Sequence, residues 1–409
     1  VSAGGPEGGT LQRGPARVAT PLLRLPLKNS LDALIGKGVL QFTRSGNATY
    51  FDNYGNFKIA GTDEARFSGD RLWIESVAAT NLFLNSEDMS AGNWNPTRVS
   101  LSKPGLKVLG STYDWIKITE DGTAGADHKI FQGVTLTLGQ NYTPQILVKK
   151  GSANRHLVFQ MNWAGLARIS FNLDTGIATV LSGSITARAK KVEADAWLIS
   201  FSGIPDTTGV GTCTLSLADA AMAVIYNGDG ASFIYAAFPQ IANLPFPTSP
   251  ILTAGTTVTR NADSLTLLDP FGNAVRSDMP MAMFATVELF GVHPTLTQEA
   301  IAFTGEAPNR RILAAAGIAG MNGYAEMPSA ATPVAAARAA NAPYRLGWRF
   351  DGTKLSYWEK GIKLGEVTPA TPLSTAPPTA ITIAANMCGL ISDVDINGFG
   401  PSDYEMSIL

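Results

Sequence analysis

The sequence predicts an all-β protein: two β-sandwich (jelly-roll-like) domains preceded by an extended N-terminal arm. Short runs rich in Val, Ile, Thr and aromatic residues recur along the chain, each bounded by turn-forming residues at the spacing of sandwich strands. The 409 residues include 41 Gly and 24 Pro, enough to turn the chain many times. No helical periodicity persists, and a hydrophobic share of 45% is sufficient for two sizeable cores.

Taken in order, residues 1–40 come first. "VSAGGPEGGTLQRGPARVATPLLRLPLKNS" is broken by Gly and Pro and leans positive through Arg13, Arg17, Arg24, Lys28 and Lys37 against Glu7 and Asp32. Leu22, Leu23, Leu25 and Leu27 cluster in this polar segment, and the expectation is that they dock onto a neighbouring subunit. Val1 is compatible with an alternative start codon or with a processed terminus.

Residues 41–262 form the first expected domain. "GVLQFT", "ATYFD" and "FKIAG" read as strands, with a hairpin turn at "NYGN", Asn53–Asn56. "RLWIES" and "TNLFLNS" follow, and then strand and turn alternate through "WIKITEDG", "RHLVFQMNW", "ARISFNLDTGIATVL", "AWLISFSGIP", "GTCTLSLA" and "SFIYAAFPQIA". Residues 263–409 form the second, with strands in "PMAMFATVELFG", "EAIAFTG", "RRILAAAGIAG", "YRLGWRFDGTKLSYWEKGIKLGEVT" and "AITIAANM". "PVAAARAANAP", Pro333 to Pro343, is Ala-rich and bounded by prolines, so it reads as a short surface helix.

"FTRSGNATYFDNYGNFKIAGTDEARF", followed by "RLWIESVAATNLFLNSEDMSAGNW", resembles a block of bacteriophage and prophage structural proteins. There the block precedes a sandwich similar to carbohydrate-binding modules. "TNLFLNSEDMSAGNW", "FNLDTGIATV", "AWLISFSG" and "PFPTSPILTAGTTVTRNADSLTL" occur in the order this resemblance implies, over residues 40–265. Two places depart from the pattern. "YAAFPQIANLPF" replaces a Trp-Gly-Ala-Gln-type strand, and "DAWLIS" stands where Gly-Trp-Tyr is usual. After Asp263, "WRFDGTKLSYWEKGIKLGEV" and "SDVDINGF" are similar to a laminin-G or concanavalin-like sandwich.

A net charge of -2 argues against nucleic acid as a partner, and no apolar run approaches a membrane span. The basic-then-apolar pattern of a secretory signal is not seen at the N-terminus. Cys213 and Cys388 fall in different expected domains, so a disulfide framework is not expected and assembly in a reducing cytoplasm fits.

Asp393, Asp395, Asn397 and Gly398 match the first half of a calcium loop, but position twelve is Tyr404 and Glu405 comes one place late. A strand with Val394 and Ile396 facing a core explains the same residues. "EDGTAGADH", Glu120 to His128, and "NGDG", Asn227 to Gly230, carry oxygen ligands but read as ordinary turns, so no metal and no cofactor are expected. His128, His156 and His293 are scattered, and Glu288, Glu306 and Glu326 read as solvated surface charges. No catalytic residue is selected, and an enzyme is not expected.

Trp94, Trp115, Trp163, Trp197, Trp348 and Trp358 lie on or beside expected strands. Trp197 shares a face with Ile199 and is expected in a core. Trp94 in "GNWNP" and Trp163 in "MNWAG" have polar or small neighbours and are the candidates for an exposed ring that contacts a glycan. The expectation is a non-enzymatic virion component on the particle surface, assembled in the host cytoplasm: a fibre, spike or head decoration. It would be a homo-oligomer, expected as a trimer, held to other virion proteins by its arm. It would contact host-surface glycans, with no nucleic acid and no membrane insertion. The competing reading is a soluble, lectin-like carbohydrate-binding protein outside a virion, and a third, a glycan-degrading enzyme, is disfavoured by the missing carboxylate signature.

Overall fold

Alternation of side chains builds the middle of the chain. In the strand His156–Trp163, Leu157, Phe159, Met161 and Trp163 point inward while Asn162 points to solvent. A computed structural model describes residues 23–163, 165–268, 280–291, 298–304, 311–314, 323–326, 342–368, 380–397 and 406. The fold is all-β, as expected; among the described residues, helix is confined to Asp32–Gly36 and Met406. Residues 333–341 of the expected Ala-rich helix lie outside the described residues.

Two antiparallel sheets form a sandwich from residues 79–260. One, here the junction sheet, runs in the order Thr186–Glu193, Ala196–Ser202, Thr143–Lys149, Phe233–Ala242, Ile116–Glu120, Val99–Ser102. The other runs Ile177–Ser182, Gly165–Asn172, His156–Trp163, Gly209–Ala218, Lys129–Leu136, Asn95–Thr97. Between them lie Ile118, Ile146, Val148, Phe159, Phe171, Ile199 and Phe201, all buried.

The second sandwich draws on both flanks of the first. Its larger sheet joins Met281–Leu289, Tyr344–Phe350 and Cys388–Asn397 to Arg71–Glu75 and Arg66–Ser68, while Leu23–Leu25 also pairs with Cys388–Asn397. In its smaller sheet Leu40–Thr43 pairs with Ser264–Leu267, which pairs with Ala380–Ala385. The strand pairing thus departs from the expected division at 40/41 and 262/263. The strands Leu40–Thr43, Arg66–Ser68 and Arg71–Glu75 belong with the C-terminal strands. Among the described strands the hairpin of Ala48–Phe51 and Phe57–Ala60 pairs only with itself, and the sandwich of residues 79–260 is inserted after them. Pairings such as Leu23 with Ile396 join residues hundreds of positions apart and leave no trace in local periodicity.

The arm is corrected by the same pairing. Leu25 and Leu27 are fully buried in the core of this chain's own outer sandwich, beside Leu31, Leu72 and Ile391, and Leu23 packs partly against it. These leucines are therefore not free to dock onto another subunit. The strand Leu23–Leu25 completes a sheet, and its side chains have an intramolecular cavity to fill. Leu22 lies outside the described residues.

A buried ionic cluster ties the insertion to its host. Arg66 Nη1 donates to Glu75 Oε2 at 2.7 Å and Arg66 Nη2 to Asp263 Oδ2 at 2.6 Å, while Arg44 Nη1 reaches Asp263 Oδ1 at 3.1 Å. The Ser249 amide and hydroxyl both donate to the Glu75 carboxylate. Glu75 is the last strand residue before the insertion and Asp263 follows it. The Glu75 amide donates to Asp263 Oδ2 and the Asp263 amide to the Glu75 carbonyl, so the two crossings of the chain run side by side. Burial alone would raise the Glu75 carboxyl, but Arg260, Arg66 and the Ser249 hydrogen bonds outweigh it and hold it at about 2.

Candidate ligand cleft between the sandwiches

The outer face of the junction sheet packs on the larger sheet of the outer sandwich. Leu147, Ala237, Phe238 and Ala242 from one side meet Trp73, Phe290, Cys388 and Leu390 from the other. This packing is incomplete at the edge formed by Thr186–Glu193. A cleft of about 280 Å³ remains there, lined by Trp73, Arg188, Lys190, Leu198, Ser200, Thr248, Glu288 and Phe290, among others.

Register explains how these side chains converge. Residues directly opposite in an antiparallel pair point to the same face. Arg188 lies opposite Ser200, Ser200 opposite Gln145, and Gln145 opposite Gln240, whose amide nitrogen donates to Thr248 Oγ1 at 2.7 Å. A polar row therefore crosses the sheet and ends in a guanidinium on the edge strand. The next row on that face runs from Lys190 through Leu198 to Leu147 and is apolar except for its edge cation. Positions 188 and 190 share a face because strand side chains repeat every two residues.

The aromatic wall comes from the other sandwich. Trp73 and Phe290 meet edge to face at 4.9 Å, and Lys190 Nζ lies 5.3 Å from the Trp73 ring centroid and 5.9 Å from that of Phe290. Arg71 is paired with Glu288 at the rim. Arg188 donates from Nη1 to Ser202 Oγ at 3.0 Å. Surrounding protein lowers the pKa of Arg188, and that of Lys190 too, where Glu288 acts in the opposite sense and Arg71 adds to the lowering. Trp73 Nε1 and both polar atoms of the Gln145 amide are buried without a hydrogen-bond partner.

The aromatic candidates from sequence are corrected here. Trp94 is only 4% exposed, donates from Nε1 to the Leu84 carbonyl at 3.2 Å and packs edge to face on Phe83 at 5.3 Å. Trp163 is 6% exposed and packs on Phe201. Neither ring offers a face to a sugar. Their polar neighbours in sequence point the other way or belong to turns, and the alternation of Trp163 with Met161 and Phe159 was the signal that it faces inward. Trp197, expected in a core, packs partly against the inserted core. Trp73, on the strand "RLWIE", was not singled out. Neither was the strand "TARAKKVE", whose charge hides its pattern.

The structure brings the two oxygen-rich loops together but commits their groups to one another. Asn227 Oδ1 accepts from the Gly125 amide, and the Gly228 amide donates to the Thr123 carbonyl. Glu120 accepts from Arg155 Nε and Nη2, both at 2.6 Å, from the Tyr226 hydroxyl and from the Asp229 amide. Asp229 Oδ1 accepts from the Ala231 and Ser232 amides, as a turn aspartate does. Among the described residues no three His, Cys, Asp or Glu side chains are grouped to hold a metal ion. Val394 and Ile396 face the outer core as the strand reading requires, while Asp395 is buried rather than solvated and pairs with Arg24 and Arg345. His128 and His156 are buried in different places, and His293 lies outside the described residues. Both thiols are buried and unpaired, and burial pushes that of Cys388 up to about 12.

No family model and no curated protein sequence matches the chain. Among solved structures it is distantly similar to domain 4 of an extracellular arabinanase from Geobacillus stearothermophilus in complex with arabinotriose. That match has 11% identity over 40% of this chain and 79% of the other, with a TM-score of 0.30. A carbohydrate-binding protein, so described provisionally, from Bacteroides ovatus matches at 9% identity over 71% and 81%, with a TM-score of 0.27. A sialidase from Trypanosoma rangeli matches at 11% identity over 77% of this chain, which spans 62% of the sialidase, with a TM-score of 0.26.

Proposed function

We propose that the chain is a non-enzymatic structural component displayed on the surface of a phage particle, as a fibre, spike or head decoration, and that it contacts host-surface glycans through the cleft between its sandwiches. The observation that carries this reading is where the ionisable groups go. Glu75, Asp263, Arg44 and Arg66 are spent on the buried join between sandwiches, and Glu120 and Arg155 on fixing a loop pair. Groups committed in this way build a rigid display body and are poor candidates for moving protons. The cleft is the exception, with hydroxyls, aromatic edges and cations without an ion pair among the described residues side by side, which is the mixture a glycan contact uses.

The ordered motifs that resemble phage structural proteins supply the virion half of the reading. Such a protein works as a homo-oligomer, a trimer on this reading, because repeated weak contacts then add through avidity. Antibody labelling of particles from the producing strain, followed by electron microscopy, is the test. Label on the particle surface supports the virion role. Recovery of the protein only in the soluble fraction, with glycan-array binding retained, would leave a soluble carbohydrate-binding protein instead.

A further inference from the structure

Arg188 and Lys190 differ from the other cations at the junction in that neither forms an ion pair among the described residues. Arg71 has Glu288, Arg66 has Glu75 and Asp263, and Arg44 has Asp263. Both unpaired cations project from one strand into one cleft, and the carboxylate facing them, Glu288, is already held by Arg71. With Arg71 at the rim, three cations therefore stand against one carboxylate, and since Arg71 neutralises Glu288 the two wall cations are left without a counter-ion among the described residues. A cation enclosed by protein without a counter-ion is disfavoured, and an anion that enters relieves that cost.

We propose that the cleft binds a carboxylated sugar unit, with Arg188 and Lys190 holding the carboxylate. This rests on the glycan-contact reading above and names its ligand class. The volume, about 280 Å³, is just under the roughly 300–1,000 Å³ of sites for drug-sized molecules, which suits one sugar ring and not a long segment. The edges of Trp73 and Phe290, 3% and 6% exposed, add a small apolar patch to the wall but no open ring face. Trp73 Nε1 is an unpaired donor on that wall, at a residue only 3% exposed. Ser200 adds a hydroxyl to the lining, beside Thr248 Oγ1, which already accepts from Gln240 and donates to the Ser249 carbonyl. A polyhydroxylated ring offers both donors and acceptors to such a lining, whereas inorganic phosphate at neutral pH offers mainly acceptors.

Calorimetric titration of the whole chain with trigalacturonate, its fully methyl-esterified form and inorganic phosphate tests this. Trigalacturonate should bind at least about tenfold more tightly than the ester, and weaken as salt is raised. Lys190→Gln and Arg188→Gln should each erase most of that difference while remaining folded, with melting temperature as the check, since each loses one local contact, to Trp73 and Phe290 or to Ser202. Arg188→Lys, which keeps the charge, should retain part of it. Equal binding of acid and ester, to wild type and both Gln variants alike, would overturn the carboxylate assignment while leaving glycan contact in place. Phosphate binding as tightly as trigalacturonate would overturn the sugar assignment. No binding of trigalacturonate or its ester, together with no signal on an array of neutral and acidic glycans, would remove the glycan reading itself.

Discussion

Glu75 shows at the scale of one residue how a buried charge becomes tolerable. It accepts hydrogen bonds from Arg66 and Ser249, lies 3.3 Å from Arg260 Nε, and is fully buried. Removing one partner of such a cluster leaves an uncompensated charge, at a cost of about 3–5 kcal/mol. Its carboxyl ionises at about 2 in the folded protein against 4.5 in the unfolded chain. The folded state therefore binds fewer protons between those values. The stability contributed by ionised Glu75 is fully present above 4.5 and is lost as pH falls toward about 2. Urea denaturation across that window should show a steeper loss for the wild type than for Glu75→Gln, which starts lower and has no carboxyl to titrate. Equal slopes would take Glu75 out of the acid response.

Among the elements, the strand Leu23–Leu25 changes most between sequence and structure. Its leucines lie in a segment interrupted by proline, with nothing nearby in sequence to bury them, so docking onto another subunit was the natural expectation. The partner is the last described strand of the same chain, in the register Leu23 to Ile396 and Leu25 to Val394. Leu25→Ala should then destabilise the outer sandwich by about 2–5 kcal/mol, read from chemical denaturation. Unchanged stability combined with loss of assembly would restore the docking role. The strands of the inserted sandwich were legible because each carries its own alternation, and the "NYGN" hairpin because Gly55 adopts a φ of 81° that its turn requires. "TARAKKVE" was not. As an edge strand, it has one face against a cleft and its cations interrupt any apolar pattern. The candidate site was therefore largely hidden. It depends on cross-strand register and on the packing of two sandwiches, and neither is written in local periodicity.

For the whole molecule, the side-by-side crossings at Glu75 and Asp263 separate a contiguous unit from one that is divided in sequence. Every sheet of the inserted sandwich closes within residues 79–260, whereas the outer sandwich must join residues 23–75 to strands from 264–397. Contacts that span most of a chain form late, because their loop entropy is lost before they contribute. The order of events during synthesis follows from this. Residues 23–75 are made before the insertion yet have no sheet to join, and they wait with open strand edges while it folds behind them. Only when 388–397 has been made can Leu25 and Ile74 be covered. Pulse-labelled hydrogen exchange during refolding should therefore protect Leu157, Phe159 and Ile199 before Leu25, Ile74 and Ile391. Simultaneous protection would mean that the buried ionic cluster forms early and couples the two halves from the start. On the expected order, a segment made before the insertion completes its fold after it, and its open strand edges are exposed to aggregation along the way.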